Sequence, residues 1–70
     1  MPCYRFLART EDHKTENLGV MELGHDGDAL SFAGGIIRDL MHSHPAVYGG
    51  WTLDISEDDR AVATVAFAPS

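Results

Sequence analysis

Residues 29–41, in the middle of the chain, would place their apolar and polar side chains on opposite sides of a helix. With residues placed at the roughly 100° step of an α-helix, the apolar side chains fall within one arc of about 180°. The arc consists of Ala29, Leu30, Phe32, Ala33, Ile36, Ile37, Leu40 and Met41. This pattern predicts one long helix whose apolar face must pack against a second layer of structure.

Both ends of this helix carry residues that start or stop helices. Asp26 or His25 can cap the first turn, where Asp28 also meets the positive end of the helix dipole. Pro45 disfavours helical geometry at the residue before it. We therefore expect the helix to end near Ser43.

Two adjacent glycines, Gly34 and Gly35, lie inside the predicted helix. Each costs on the order of 1 kcal/mol relative to alanine at the same place. Both fall on the polar side of the helix, so the packing of the core does not require them. Either the fold tolerates them, or another surface approaches the helix backbone closely at this point.

Alternating apolar residues predict strands on both sides of the helix. Residues 3–8 alternate and place aromatic side chains on one face, and residues 20–23 form a weaker strand candidate. After the helix, residues 51–56 and 61–67 alternate again. Because only a polar turn at 57–60 separates these two runs, they are typical of an antiparallel hairpin.

Two segments between these elements are expected to be loops. Residues 9–17 have no apolar side chain to bury, and residues 46–50 separate the helix from the third strand. The order of elements is therefore β-β-α-β-β, and residues 1–70 form a single domain. We expect an α+β fold in which an antiparallel sheet carries one helix packed on one face.

The apolar face of the helix and the aromatic face of the sheet are expected to form one core. The sequence predicts that this core includes Phe6, Ile37, Leu40 and Trp51. The opposite face of the sheet would then carry Cys3, Leu7, Val62 and Ala66. That is more apolar surface than a solvated sheet face usually shows, and self-association would cover it.

The charge balance and the cysteine count exclude several classes of protein. Eleven Asp and Glu against five Lys and Arg give a formal net charge of −6, whereas nucleic-acid binding normally needs a basic face. The one cysteine, Cys3, cannot form an internal disulfide and suits a reducing compartment. No apolar run approaches the roughly 20 residues that span a membrane. We expect a cytoplasmic protein with neither a nucleic-acid nor a membrane partner.

The candidate chemical motifs are weak. His42 and His44 have a spacing that brings two imidazoles to one metal in an extended segment, but at a helix end they diverge. Asp26 and Asp28 match part of a calcium loop, yet the following alternate positions lack ligands. Nucleophile motifs and glycine-rich phosphate loops are missing from the sequence. The sequence thus predicts no catalytic, cofactor-binding or metal-binding residues, and no enzyme activity.

Short motifs along nearly the whole chain carry a resemblance to a known family. The chain begins Met-Pro-x-Tyr-x-Phe. Further motifs lie before, within and after the helix, at Gly19, Glu22, Leu23, Ala29, Ala33, Ile37, Leu40, Arg60, Val65 and Phe67. In these features the chain resembles a family of short bacterial proteins classed as a domain of unknown function. It departs from that family at Gly24, Leu30 and the Gly34–Gly35 pair, and the resemblance implies no activity.

Two functional hypotheses follow from the sequence. The first is a small, non-catalytic interaction module that self-associates as a homodimer, because one helix leaves a sheet face and the sheet edges uncovered. The alternative is an accessory protein that binds a ligand or a metal through the histidines near the helix C-terminus, His42 and His44.

Overall fold

The computed structural model describes residues 2–67, and within this range it contains four strands and two helices. In chain order the elements are β1 (Cys3–Arg9), β2 (Thr15–Glu22), α1 (Asp26–Ser43), α2 (Pro45–Tyr48), β3 (Thr52–Glu57) and β4 (Arg60–Ala66). The strands form one sheet in the order β2-β1-β3-β4, and all neighbouring strands are antiparallel. The predicted ββαββ fold of the α+β class is confirmed.

The register of the two central strands explains where the core forms. Phe6 of β1 lies opposite Ile55 of β3, and Ala8 lies opposite Leu53. Residues directly opposite each other in an antiparallel pair point to the same face of the sheet. These four side chains are buried, so the face they share is the one that the helix covers.

Helix α1 meets this face through small and branched side chains. Ala29, Ala33 and Ile37 are buried, and the two alanines let the helix backbone approach the sheet closely. Within residues 2–67 the buried apolar residues are Tyr4, Phe6, Ala8, Ala29, Ala33, Ile37, Leu53, Ile55 and Phe67. Leu40 and Trp51 are partly buried and pack against this set, which confirms the predicted core.

Two residues of the predicted apolar arc are exposed. Leu30 is 45% exposed and Phe32 is 36% exposed. They are two residues apart, about 200° around the helix, and therefore lie on opposite flanks of the face that contacts the sheet. Phe32 still packs against Phe6, with ring centroids 5.2 Å apart.

The second strand is longer than the sequence predicts. Residues 9–17 were expected to be a loop, yet Thr15–Glu22 is a strand paired with β1. None of its eight residues is buried, so it lacks the apolar alternation that identifies a half-buried strand. An extra residue, Leu18, sits between the partners of Phe6 and Leu7, and this β-bulge further disturbs the alternation.

Two local expectations are also wrong, and a third is met only in part. Residues 46–50 are not only a loop, because Pro45–Tyr48 forms the short helix α2 with proline in its first turn. Val62 does not belong to the outer face alone, because a β-bulge in β4 leaves it without a partner and it packs against the core. His25 occupies the N-cap position of α1 but makes no side-chain capping bond there.

Candidate interaction surface

The open face of the sheet is the side that α1 does not cover, and it is polar at its centre. Asp54 of β3 accepts a hydrogen bond from Nη2 of Arg9 at 2.5 Å and another from Oγ1 of Thr64 at 3.0 Å. Leu7 lies directly opposite Asp54 in the sheet and is only partly buried. This face is therefore not the continuous apolar patch that the sequence predicts.

A shallow depression on the same face is too small for a ligand site. It is lined by Cys3, Arg5, Val20 and Asp58 and has a volume of about 80 Å³. Pockets that bind small molecules typically measure about 300–1,000 Å³. The exposed Cys3 thiol lies beside this depression, but no group in its lining can act as a general base of the histidine type.

The two edge strands, β2 and β4, differ in charge. After Arg60, strand β4 continues to Ala66 with only alanine, valine and threonine. Strand β2 carries Glu16 and Glu22 and is exposed on both faces along most of its length. Backbone groups on the outer side of an edge strand have no partner within the sheet, so each edge can pair with another chain.

The helix side of β2 and the flank of α1 that carries Phe32 lie on the same side of the sheet, because Phe32 packs against Phe6 of the neighbouring strand β1. Glu16 and Met21 lie opposite the buried Ala8 and Tyr4, so they point toward the helix side of the sheet. Gly19 lies between them, opposite Phe6, and a Cβ added there would meet nothing within 4 Å. Met21 is 39% exposed and Phe32 is 36% exposed, so both contribute apolar side chains to this side of the sheet.

Acidic side chains also lie on the helix side of β2 and on the Phe32 flank of α1. On a helix, Asp28 and Asp39 lie within about 40° of Phe32, so they share its flank of α1. The imidazole of His25 lies beside Asp28, with its Nε2 3.6 Å from Oδ2 of the carboxylate. We call the surface formed by Glu16, Gly19, Met21, Asp28, Phe32 and Asp39 the acidic groove.

A second charged cluster ties the start of α1 to the sheet. Asp26 accepts a hydrogen bond from the Tyr4 hydroxyl at 2.8 Å and a bidentate pair from Arg60, at 2.9 and 3.2 Å. Arg60 also donates through Nε to Glu57 at 3.1 Å. The cluster joins β1, α1 and the β3–β4 hairpin, so its geometry fits a structural role.

The electrostatic state of these groups follows from their contacts. The hydrogen bonds from Arg60 and then from Tyr4 hold the pKa of Asp26 below its usual value of 3.8. Burial, and then the hydrogen bond to Asp26, raise the pKa of Tyr4 from 10.0 to about 12. The bonds to Asp26 and Glu57 raise the pKa of Arg60 further above neutrality. At neutral pH the cluster is thus a carboxylate held between a neutral phenol and a guanidinium.

The structure does not bring the two candidate histidines to a ligand cluster. His42 lies in the last turn of α1, and His44 follows the helix as its C-cap; both are exposed. The His44 ring lies 6.4 Å from the ring of Tyr48. Residues 2–67 contain no group of three or more His, Cys, Asp or Glu side chains placed to hold a metal ion. The metal-binding hypothesis stays a prediction that no contact in the described chain supports.

Comparison of the chain with protein-family models, with curated protein sequences and with solved structures gives no match in any of the three. The resemblance to a bacterial family of unknown function therefore stays an expectation. Within residues 2–67, neither helix is long and apolar enough to cross a membrane.

Two features of the edge strands could not be predicted from hydrophobic periodicity alone, namely the full length of β2 and the position of β4 at an edge. The first half of β2 is not predictable from periodicity, because polar residues such as Thr15 and Asn17 alternate with nothing apolar. The β-branched Thr15 and the conformationally free Gly19 were the available signals for a strand with a bulge. The position of β4 at the other edge could not be derived, because strand order depends on which strands pair in space.

Proposed function

We propose that this protein is a small, non-catalytic interaction module that self-associates as a dimer through the outer edge of β4. The observation that carries the proposal is the absence of charge along this edge from Ala61 to Ala66. Edge strands of proteins that stay monomeric usually carry lysine, proline or inward-pointing charges that block pairing. In β4 the only charged residue is Arg60, at the start of the strand.

The charges on the other surfaces favour β4 over them. Pairing two copies through β2 in antiparallel fashion would bring the carboxylates of Glu16 and Glu22 toward those of the second copy. Pairing two open faces would bury the Arg9–Asp54 ion pair, and burying charges carries a desolvation penalty. Pairing through the β4 edge involves neither repulsion between carboxylates nor the desolvation of an ion pair.

The geometry of such a dimer also covers an exposed side chain. Antiparallel pairing of β4 with its copy is a two-fold symmetric contact and extends the sheet continuously from one chain to the other. α1 packs against β3 and β4, and Leu30 lies on the flank of α1 opposite Phe32, toward this edge. A partner on the same side of the sheet therefore lies next to Leu30.

The net charge opposes the dimer only weakly. Each chain carries −6, so the charges of two chains repel each other. At ordinary ionic strength this repulsion is screened over roughly 8–10 Å, which leaves the short-range contacts of an uncharged edge largely unaffected. We therefore expect the dimer to be weaker at low salt than at moderate salt.

The test places two lysines on each edge in turn. Light scattering at tens of micromolar protein in moderate salt should give about twice 7.6 kDa for the natural chain. The double variant Thr64→Lys/Ala66→Lys should give a mass near 7.6 kDa, because charges on an edge strand block pairing. A reductant is present throughout, so that the exposed Cys3 does not link two chains and the reducing conditions of our proposed cytoplasmic setting are reproduced.

The control carries the same two added charges on the opposite edge. Thr15→Lys/Asn17→Lys changes two exposed residues of β2 and should remain a dimer. A natural chain of 7.6 kDa at every concentration would refute self-association. A control that becomes monomeric together with the β4 variant would show that association does not depend on the β4 edge in particular, because both variants carry two added positive charges that lower the repulsion between the acidic chains.

A further inference from the structure

We infer that the acidic groove binds an extended basic segment of another protein, which adds to the free edge of β2 as a further strand of the sheet. This binding mode is strand addition, in which main-chain hydrogen bonds provide affinity and the neighbouring side chains provide selectivity. The inference goes beyond the proposed dimer, because it concerns the opposite edge of the sheet.

The backbone of β2 is available for such pairing. β2 contacts a single neighbouring strand, β1, and its other side is an edge in the described chain. It is eight residues long, and none of these residues is buried. At Gly19 this edge is interrupted, because the strand bulges at Leu18 and the Gly19 N–H donates to Oδ1 of Asn17 at 2.9 Å, so we expect the ladder to form on either side of Gly19.

The acidic groove also offers apolar contact. Met21 and Phe32 are both partly exposed although each lies beside the buried core. A residue on the inserted strand that points to the helix side would cover these two side chains, because alternate residues of a strand point to the same face. One apolar residue at the middle of the segment is therefore favoured.

The charges at the two ends select a basic segment. Glu16 and Asp39 are expected near one end and Asp28 near the other, since α1 begins beside Tyr4 and ends toward the opposite end of the sheet. Arginines 5 and 9 alternate with buried residues of β1 and so belong to the other face. Arg38 projects about 120° from Phe32 around the helix. The acidic groove thus lacks a cation of its own on the strand and helix residues that form it.

A second copy of this chain does not fit the same groove. Its exposed edges are either acidic, as in β2, or uncharged, as in β4. Neither edge supplies cations on both sides of an apolar residue. The occupant is therefore a different chain with lysine or arginine on both sides of an apolar centre, and a second copy is one of the outcomes that the test can reveal.

The experiment uses a capped synthetic peptide, Lys-Lys-Leu-Val-Leu-Lys-Lys, titrated into the full chain with amide chemical shifts as the readout. The largest shift changes should lie in β2 and on the Phe32 flank of α1. A peptide with glutamate in place of each lysine should not bind. A peptide with proline in place of valine should bind more weakly, since proline cannot donate a ladder hydrogen bond.

Variants separate the groove from a general attraction between a basic peptide and an acidic protein. Glu16→Gln/Asp39→Asn removes two acids from the groove and should weaken binding about three- to tenfold, as expected for two exposed ion pairs. Asp12→Asn/Asp59→Asn removes two exposed acids from turns and should leave affinity within about twofold. Phe32→Ala tests the apolar centre, with Val47→Ala, an exposed residue of α2, as its control.

Three results would overturn the inference. The first is equal weakening by the groove pair and the turn pair, which would indicate attraction to net charge alone. The second is shift changes confined to β4, which would mean that the other edge accepts the strand. The third is the absence of binding at millimolar peptide. Thr64→Lys/Ala66→Lys should still bind the peptide, so a failure of the dimer and a failure of the groove are separate observations.

Discussion

Replacing Gly34 and Gly35 by alanine should stabilise the protein. Both residues lie in the interior of α1, and a Cβ added to either would meet nothing within 4 Å. Neither glycine has a positive φ, in contrast to Gly19 and Gly50. Alanine can therefore adopt the existing backbone without strain, and the helix gains from the smaller conformational entropy of the unfolded chain.

The expected magnitude follows from helix propensity. A glycine in a helix interior is less favourable than alanine by about 0.8–1.0 kcal/mol, so the double variant should gain about 2 kcal/mol. For a domain of this size each kcal/mol shifts the melting midpoint by about 4–8 °C, so the midpoint should rise by about 8–16 °C. Thermal melts followed by far-ultraviolet circular dichroism, in parallel with light scattering, measure the shift and the oligomeric state together.

A third glycine serves as the matched control. Gly50 has a φ of +86°, which strains any residue that has a Cβ, and a Cβ there would also touch the carboxylate of Glu11. The same substitution, Gly50→Ala, should therefore lower the midpoint. If Gly34→Ala/Gly35→Ala also lowers the midpoint, the open space above α1 is occupied in solution. If the mass measured by light scattering also falls from dimer to monomer, a second copy of the chain occupies this space.

Two further predictions test the core and the charged cluster. Leu53→Ala should destabilise the protein by about 2–5 kcal/mol, because Leu53 is fully buried. Leu30→Ala should destabilise it much less, because Leu30 is 45% exposed. Chemical denaturation measures both free energies of unfolding, and equal effects would contradict the assigned core. Stability that depends on Tyr4 should be complete below pH 10.0 and be lost as the pH rises toward about 12, because the folded chain raises the pKa of its hydroxyl above the unfolded value. The melting midpoints of the natural chain and of Tyr4→Phe should be compared from about pH 8 to about pH 12. The difference between the two midpoints should narrow as the pH rises, and a constant difference would contradict the role of the Tyr4 proton.

The helix and the central strands were predictable because their side chains carry the periodicity of buried structure. Ala29, Ala33 and Ile37 repeat at four-residue spacing, and Leu53 and Ile55 alternate, as their burial requires. The end of α1 at Ser43 was also predictable, since Pro45 acts locally on the backbone before it. These features depend on neighbours in the chain, which a sequence displays directly.

The candidate surfaces were less predictable because they are defined by what lies beside them in space. The polarity of the open face depends on Arg9 and Thr64 meeting at Asp54, which involves three different strands. The acidic groove depends on Glu16 of β2 and Asp39 of α1 lying on the same side of the sheet. No spacing in the sequence encodes these distances.

The sequence by itself determined the number and kind of most elements, the covered face of the sheet and the residues of the core. It did so because the spacing of apolar residues indicates which side chains are buried away from water. The tertiary structure alone decided the order β2-β1-β3-β4, and with it which strands became edges. Strand order follows from the pairing of distant backbones, and backbone hydrogen-bonding groups are the same in every residue except proline. The charge difference between β2 and β4 affects pairing with other chains only because this order places both strands at the edges of the sheet.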